Sequence, residues 1–204
     1  MKSVPPTRPV PERRVIGLFG GSFDPVHHGH LIVAQVALEI LGLDTLRFVP
    51  AREQPFKQGR HRSAPEHRAA MVSLAIAGNP AFALERTELA RTGPSYTVHT
   101  LEELRRRDPT AELVLLLGAD AAAELGAWHE AGRIPQLARV VVFARPGAAV
   151  PPSASIAQVI EVPAIDVSAT EIRRRVQCGR AVRYWVPDAV AEYIARHQLY
   201  LDPE

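Results

Sequence analysis

Residues 14–31 read RVIGLFGGSFDPVHHGHL, and this stretch decides the fold. RVIGLFGG is a short apolar run stopped by two glycines, the pattern of a strand buried on both faces. GHLIVAQVALEIL, Gly29 to Leu41, follows with apolar residues at helical spacing, and Gly42 is placed to stop that helix. A buried strand running straight into a helix is the first unit of a parallel sheet. The rest of the chain repeats it. TLRFVP, ELVLLLG, RVVVFAR and IAQVIEVP read as strands, and FALERTEL as a short strand and its exit. Helices are expected from Pro65 to Gly78, from a Ser95 cap to about Arg107, in short pieces after Gly118, and in the two closing segments VSATEIRRRVQCG and PDAVAEYIARHQL. The predicted architecture is therefore α/β: a Rossmann-like, doubly wound, mainly parallel sheet with helices on both faces, in one domain over 14–204. Ligands of such folds bind beyond the C-terminal ends of the strands.

Between strand and helix lies GGSFDPVHHGHL, Gly20 to Leu31. It is neither GxGxxG nor GxxxxGK[ST], so the usual dinucleotide and P-loop readings lose their support. Gly20 and Gly21 allow close backbone approach and unusual dihedrals. Asp24 precedes Pro25, so the chain turns there. His27 and His30 stand one turn apart at a helix start, with Gly29 between them leaving no side chain in a ligand's way. Amides and dipole at a helix N-terminus attract phosphate. Two imidazoles beside them can donate to phosphate oxygens as charge builds. Two histidines without a third ligand make an incomplete metal site, and none is expected. His28 carries no assigned role.

Four other stretches carry polar groups to the same side. VSATEIRRR, Val167 to Arg175, fits an S-x-x-E capping box through Ser168 and Glu171. Thr170 and Arg173 could add a second phosphate cradle there, while Arg174 and Arg175 read as solvated or packing residues and not as ligands. GPSYTVHTLEEL, Gly93 to Leu104, is a helix start after a turn. LGADAAAELGAWHE, Leu117 to Glu130, puts Asp120 just past a strand end, where a carboxylate can hold ribose hydroxyls. Its Trp128 is either core or a stacking platform. AREQPFKQGRHRSA, 51–64, is polar and long enough to be a functional loop.

Composition narrows the classes. The chain has 204 residues, 47% hydrophobic and 23% charged, which suits a folded globular domain. Lys and Arg number 24 against 22 Asp and Glu, a net charge of +2, too little for a sequence-independent nucleic-acid binder. Two of the 24 are lysines, Lys2 and Lys57. One cysteine, Cys178, rules out an internal disulfide framework. The longest apolar stretch, Leu113 to Ala127, is broken by Asp120 and Glu124, so no membrane span is expected. Residues 1–13, with four prolines, are expected to form a disordered arm, the N-terminus reads as no secretory signal, and a cytoplasmic location is expected.

With these elements in order, residues 14–201 resemble the nucleotidyltransferases marked by HxGH and a late [ST]xTxIR motif. Within them, GG[ST]FDPxHxGH, PSYT and GAD…W resemble the bacterial nicotinate-mononucleotide adenylyltransferases. Val167 stands where that family usually has Ile, and 147–155 look unlike its core. The resemblance implies adenylyl transfer from ATP to nicotinate mononucleotide, with Mg²⁺ carried by ATP. It implies that Gly20, Gly21, Ser22 and Phe23 line the nucleotide phosphates and that His27 and His30 stabilise the transferring group. Ser168, Thr170 and Arg173 would hold the triphosphate, and Gly118 and Asp120 the adenosine side. Thr97 and Trp128 would recognise the pyridine, and Lys57 would reach a substrate phosphate. Other HxGH enzymes acting on phosphopantetheine or nicotinamide mononucleotide, and a non-catalytic nucleotide- or RNA-binding module, are the alternatives.

Overall fold

The computed structural model describes residues 14–53, 62–150 and 152–201. The arm expected over 1–13, and Lys57, lie outside the described residues. The elements run β1 (Val15–Gly21), α1 (His28–Leu41), β2 (Thr45–Pro50), α2 (Pro65–Ile76), β3 (Phe82–Leu84), α3 (Thr87–Ala90), α4 (Thr97–Arg107), β4 (Glu112–Gly118), α5 (Ala119–Ala123), α6 (Ile134–Leu137), β5 (Arg139–Ala144), β6 (Gln158–Glu161), α7 (Ala169–Gln177) and α8 (Asp188–Arg196). Two 3₁₀ turns, Leu125–Ala127 and Ala131–Arg133, connect α5 to α6.

Six strands form one sheet in the order β3-β2-β1-β4-β5-β6, and every pairing is parallel. This is the Rossmann order, with its reversal between β1 and β4. The continuous apolar strands bury both faces by simple alternation. Phe19, Phe48, Val114, Leu116 and Val141 face a cluster shared with Ala34 and Ala37 of α1, Met71 and Val72 of α2, Ile172 of α7, and Val190 and Ile194 of α8. Ile16, Leu18, Leu113, Leu115, Leu117, Val140 and Val142 face the other cluster, completed by Val98, Leu101 and Leu104 of α4, Ala122 of α5 and Ile134 of α6. Only Ile160 of β6 is buried, as befits an edge strand. No helix among the described residues is long and apolar enough to cross a membrane.

The helix stops differ in detail from expectation. Gly42 does end α1, at φ 58°, with its own and Leu43's N–H folding back on Glu39 and Leu38 carbonyls. Gly78 does not end α2 in that way; Ala77 closes it in a right-handed conformation. Ser95 does not cap α4, because its hydroxyl is taken by the Arg52 amide at 3.0 Å and its own N–H goes to the Glu53 carbonyl at 2.9 Å. Those two bonds tie the PSYT segment to the exit of β2, at the ligand-binding end of the sheet.

Candidate active site

A cleft of about 490 Å³ opens at the C-terminal ends of β1, β4 and β5, where the strand order reverses. Of the residues singled out from sequence, Gly20, His27, His30, Gly118 and Asp120 line it, together with Gly29. Phe143, Arg145, Pro163 and Val167 contribute further wall. A smaller depression of about 380 Å³ sits at the opposite strand ends among Arg105, Glu112 and Arg139. Its guanidiniums are committed to the Leu137 carbonyl and to Glu112 and Gln158, and none of the sequence-predicted site residues lies there.

The two histidines form the floor of the cleft. His27 is the extended residue before α1, and its backbone N–H donates to His30 Nδ1 at 3.2 Å. The rings stack, with centroids 3.7 Å apart and planes 27° from parallel. His30 also meets Phe23 and Phe19 edge-on, at 5.0 and 6.0 Å. Burial, then the neighbouring His28, pushes the His27 imidazolium down to about 4. Burial, then His27, holds His30 well below the usual histidine range. Both rings are therefore neutral at pH 7. Because His30 Nδ1 accepts a hydrogen bond, its proton resides on Nε2. His27 Nδ1 is buried with no partner among the described residues.

Gly29 matters for a reason the sequence does not show. A Cβ there would stand 3.0 Å from His27 Nδ1, so the glycine makes room for the histidine ring rather than for a ligand directly. His28 donates its N–H to the Trp185 carbonyl at 3.0 Å. The start of α1 thus offers a ligand fewer amides than its position suggests.

The loop between β1 and α1 is braced from below. The unusual dihedral falls on Phe23, at φ 50°, and not on Gly20 or Gly21. The Phe23 side chain is a correction to expectation. It is 2% exposed, packed against Phe19 and Phe48, and leaves only its backbone to approach a phosphate. Gly21 is needed because a Cβ would meet that ring at 3.0 Å. Asp24 is a buried junction and more than a turn residue. Its carboxylate accepts from the Arg62 N–H at 2.7 Å, the Ser63 hydroxyl at 2.5 Å and the Tyr200 hydroxyl at 2.7 Å. Arg68, fully buried, donates to the Ser22 carbonyl at 2.8 Å and the Arg52 carbonyl at 3.1 Å. It pins the exits of β1 and β2 together.

Arg173 reaches across from α7, donating to the Asp24 carbonyl at 3.0 Å and to Thr170 Oγ1 at 3.3 Å. It sits beside the loop and not in the cleft wall. Ser168 caps α7 by accepting the Glu171 N–H at 3.2 Å. The reciprocal half of the expected box is absent among the described contacts, because the Glu171 carboxylate takes Arg174 bidentately at 2.8 Å. Ser168 and Thr170 are exposed at the helix start next to Val167. Arg175 lies over Trp185, 4.9 Å from the ring centre, and donates to the Ala181 carbonyl.

Thr97 and Trp128 do not line the cleft. Thr97 is the first residue of α4, and Trp128 follows the first 3₁₀ turn, half-buried at the margin of the second core cluster. Trp128 thus packs against that cluster and keeps a partly open face. Sequence reasoning missed Arg68, Arg145, Tyr200 and Phe143. Arg145 ends the RVVVFAR strand, so the strand-end rule applied to that strand would have found it. Arg68 and Tyr200 carried no signal, since each is polar in an ordinary helical or terminal context.

A family model described as cytidylyltransferase-like matches residues 18–175. The chain is 48% identical over 194 residues to a protein of Thermomicrobium roseum named "Probable nicotinate-nucleotide adenylyltransferase", covering 91% of both chains. A Thermus thermophilus protein of the same name is 49% identical over 186 residues, covering 91% of this chain and 98% of its own. The fold is similar, with a TM-score of 0.75 and 17% identity, to Plasmodium falciparum nicotinic acid mononucleotide adenylyltransferase complexed with NaAD, over 92% of this chain and 98% of that one. On these matches the chain belongs to the cytidylyltransferase-like family and, within it, to the nicotinate-nucleotide adenylyltransferases.

Proposed function

We propose that residues 14–204 form one catalytic domain that transfers the adenylyl group of ATP to the 5′-phosphate of nicotinate mononucleotide, giving deamido-NAD and pyrophosphate. The observation that carries this reading is the pair of stacked, neutral histidines at the floor of a cleft with glycine in its walls, at the switch point of the sheet. A phosphate oxygen of the mononucleotide attacks the α-phosphorus, the bond to the β-phosphate oxygen breaks in line, and pyrophosphate leaves with its electron pair. The nucleophile is already an anion, so no covalent enzyme intermediate and no strong base is required. Catalysis rests on alignment and charge stabilisation. A neutral imidazole suits that task, since the Nε2–H of His30 can donate to a phosphoryl oxygen without drawing a stray counter-ion to the site.

The surroundings divide the remaining work. Gly20 and Gly118 bring bare backbone to the phosphates and the adenosine, and Asp120 stands exposed at the cleft for ribose hydroxyls. Ser22, Ser168, Thr170 and Arg173 supply donors beside the loop, and Arg145 adds a cation on the facing wall. Thr97 and Trp128 are assigned to the pyridine ring, and Lys57 to a substrate phosphate.

The donor set also fits Mg²⁺ carried in by ATP. Asp24 spends its carboxylate oxygens on Arg62, Ser63 and Tyr200, leaving Asp120 as the carboxylate lining the cleft. One carboxylate suits an ion held mainly by phosphates and water, whose contribution is to neutralise charge on the triphosphate. ATP and pyridine mononucleotides are cytoplasmic metabolites, which places the reaction in the cytoplasm. The test is pyrophosphate release from ATP across a panel of acceptors. Release should require nicotinate mononucleotide, and equal or better turnover with phosphopantetheine or nicotinamide mononucleotide would reassign the acceptor.

A further inference from the structure

His99 in the first turn of α4 and His129 and Glu130 after Trp128 bring three ligand atoms within 4.8 Å of one another, outside the cleft. Two separate segments supply them, and other contacts hold both segments in place. The Tyr96 ring lies 4.3 Å from that of His129, tilted by 30°. The His99 ring stands edge-on to both, at 5.7 and 5.4 Å. Glu130 adopts φ 49°, ψ 40°, the left-handed region that is uncommon for a residue other than glycine. One of its oxygens pairs with Arg133, which also pairs with Glu102 of α4. Its other oxygen faces His129 Nε2 at 3.4 Å, longer than a charge-assisted hydrogen bond.

We propose that His99, His129 and Glu130 form a binding site for a borderline divalent transition-metal ion of the Zn²⁺ class. Two imidazoles and a carboxylate suit such an ion, whereas Mg²⁺ and Ca²⁺ prefer all-oxygen sets. In a tetrahedral site with metal–ligand bonds near 2 Å, ligand atoms lie about 3.3 Å apart, so exposed side chains need only small rotations to close on the ion. Arg133 hydrogen-bonds one Glu130 oxygen and leaves the other facing His129. Arg133 then plays the orienting part that outer-shell partners play in metal sites. Three protein ligands leave a fourth position for water. An ion there would bolt the start of α4, which carries Thr97, to the segment carrying Trp128.

The inference is tested by titrating the metal-stripped full chain with Zn²⁺ in competition with a chromogenic chelator. One Zn²⁺ per chain should bind saturably, and His99→Ala and His129→Ala should each weaken it about tenfold or more, because the chelate loses a ligand. Glu130→Gln should weaken it less. His197→Ala, in the separate pair His67–His197, and Cys178→Ser, at the exposed thiol, should leave it unchanged. Circular dichroism of each variant separates lost binding from lost fold. Absence of saturable binding, or binding that survives both histidine substitutions or vanishes with Cys178, overturns the proposal. The readout is metal binding, so it stands or falls independently of the assigned reaction.

Discussion

The Tyr200 hydroxyl donates to Asp24 Oδ1 at 2.7 Å, joining the loop before α1 to a residue 176 positions later. Ser63 lies within 3.1 Å of the same hydroxyl and donates to the same carboxylate oxygen. Tyr200 is 7% exposed, and burial beside Asp24 raises its hydroxyl far above the usual tyrosine range. It is therefore a neutral donor at any working pH. Removing the hydroxyl leaves a buried carboxylate short of one partner. Tyr200→Phe should destabilise the fold by about 1.5–3 kcal/mol, the range for hydrogen bonds to charged groups, measured by urea unfolding. A change under about 0.5 kcal/mol would mean that Ser63 and the Arg62 amide suffice, on the scale of an ordinary surface substitution.

The buried histidines predict an acid-side loss of stability. The folded value for His27, about 4, lies below the ordinary 6.5, so the unfolded chain binds more protons between those two values. Its contribution is fully present above about pH 6.5 and is lost as pH falls toward 4. Every tenfold drop in proton affinity on folding is worth about 1.4 kcal/mol, so the whole window amounts to roughly 3 kcal/mol. His30 is displaced the same way and adds to the slope. Chemical denaturation at a series of pH values should show the native chain losing more stability from pH 7 to 4 than His27→Asn loses. Parallel curves would place the histidines in a wetter setting than the cleft floor.

His30 donates from Nε2 in the proposed mechanism, and two measurements address that. Long-range nitrogen–proton NMR at pH 7 should show His30 as the neutral Nε2–H tautomer, because Nδ1 accepts from the His27 amide. His30→Ala should cut turnover by about 10²-fold or more, the scale of losing one preorganised donor, with circular dichroism preserved. A folded His30→Ala enzyme at full activity would remove the ring from the reaction.

The parts of this molecule that were legible in sequence are those dictated by pattern. Runs such as ELVLLLG must be strands buried on both sides, and the glycine-ended first strand places the site at its C-terminal end. The HxGH spacing brought His27 and His30 into the cleft for the same reason. What was not legible depends on contacts between residues far apart in the chain. Nothing in HRSAPEHR marks Arg68 as fully buried beneath Ser22, and nothing in the C-terminal YLD marks Tyr200 as a partner of Asp24. Phe23 misled because a motif position near phosphates need not turn its side chain toward them. Ser95 misled because a distant amide, that of Arg52, claimed the hydroxyl before the local helix could.

Gly29→Ala tests how closely the floor is fitted. The new methyl would stand 3.0 Å from Nδ1 and 3.1 Å from Cε1 of His27, so the ring ahead of α1 must give way. Alanine is otherwise favourable in a helix, so global stability should change little. Misplacing a catalytic group by about 1 Å can cost 10²-fold; the ring here need give by only a few tenths of an ångström, so kcat should fall about two- to tenfold at near-native Tm. An unchanged kcat would show that His27 tolerates displacement and is not an aligned group.

Arg145 and Trp128 should separate the two substrates. Arg145 is exposed on the cleft wall at the end of β5, among the residues beside Gly118 and Asp120. Trp128 lies outside the cleft, near the start of α4. Replacing the guanidinium removes a fork suited to phosphate, so Arg145→Ala should raise KM for ATP severalfold and leave KM for nicotinate mononucleotide nearly unchanged. Trp128→Ala should do the reverse, weakening pyridine-nucleotide binding by about 1–3 kcal/mol if stacking supplies it. The half-buried position of Trp128 adds a second readout, because its contact with the second core cluster is also lost. A large fall in Tm with both KM values unmoved would assign Trp128 to the core alone. A rise in both KM values for either variant would mean that the cleft and the α4 segment act as one subsite.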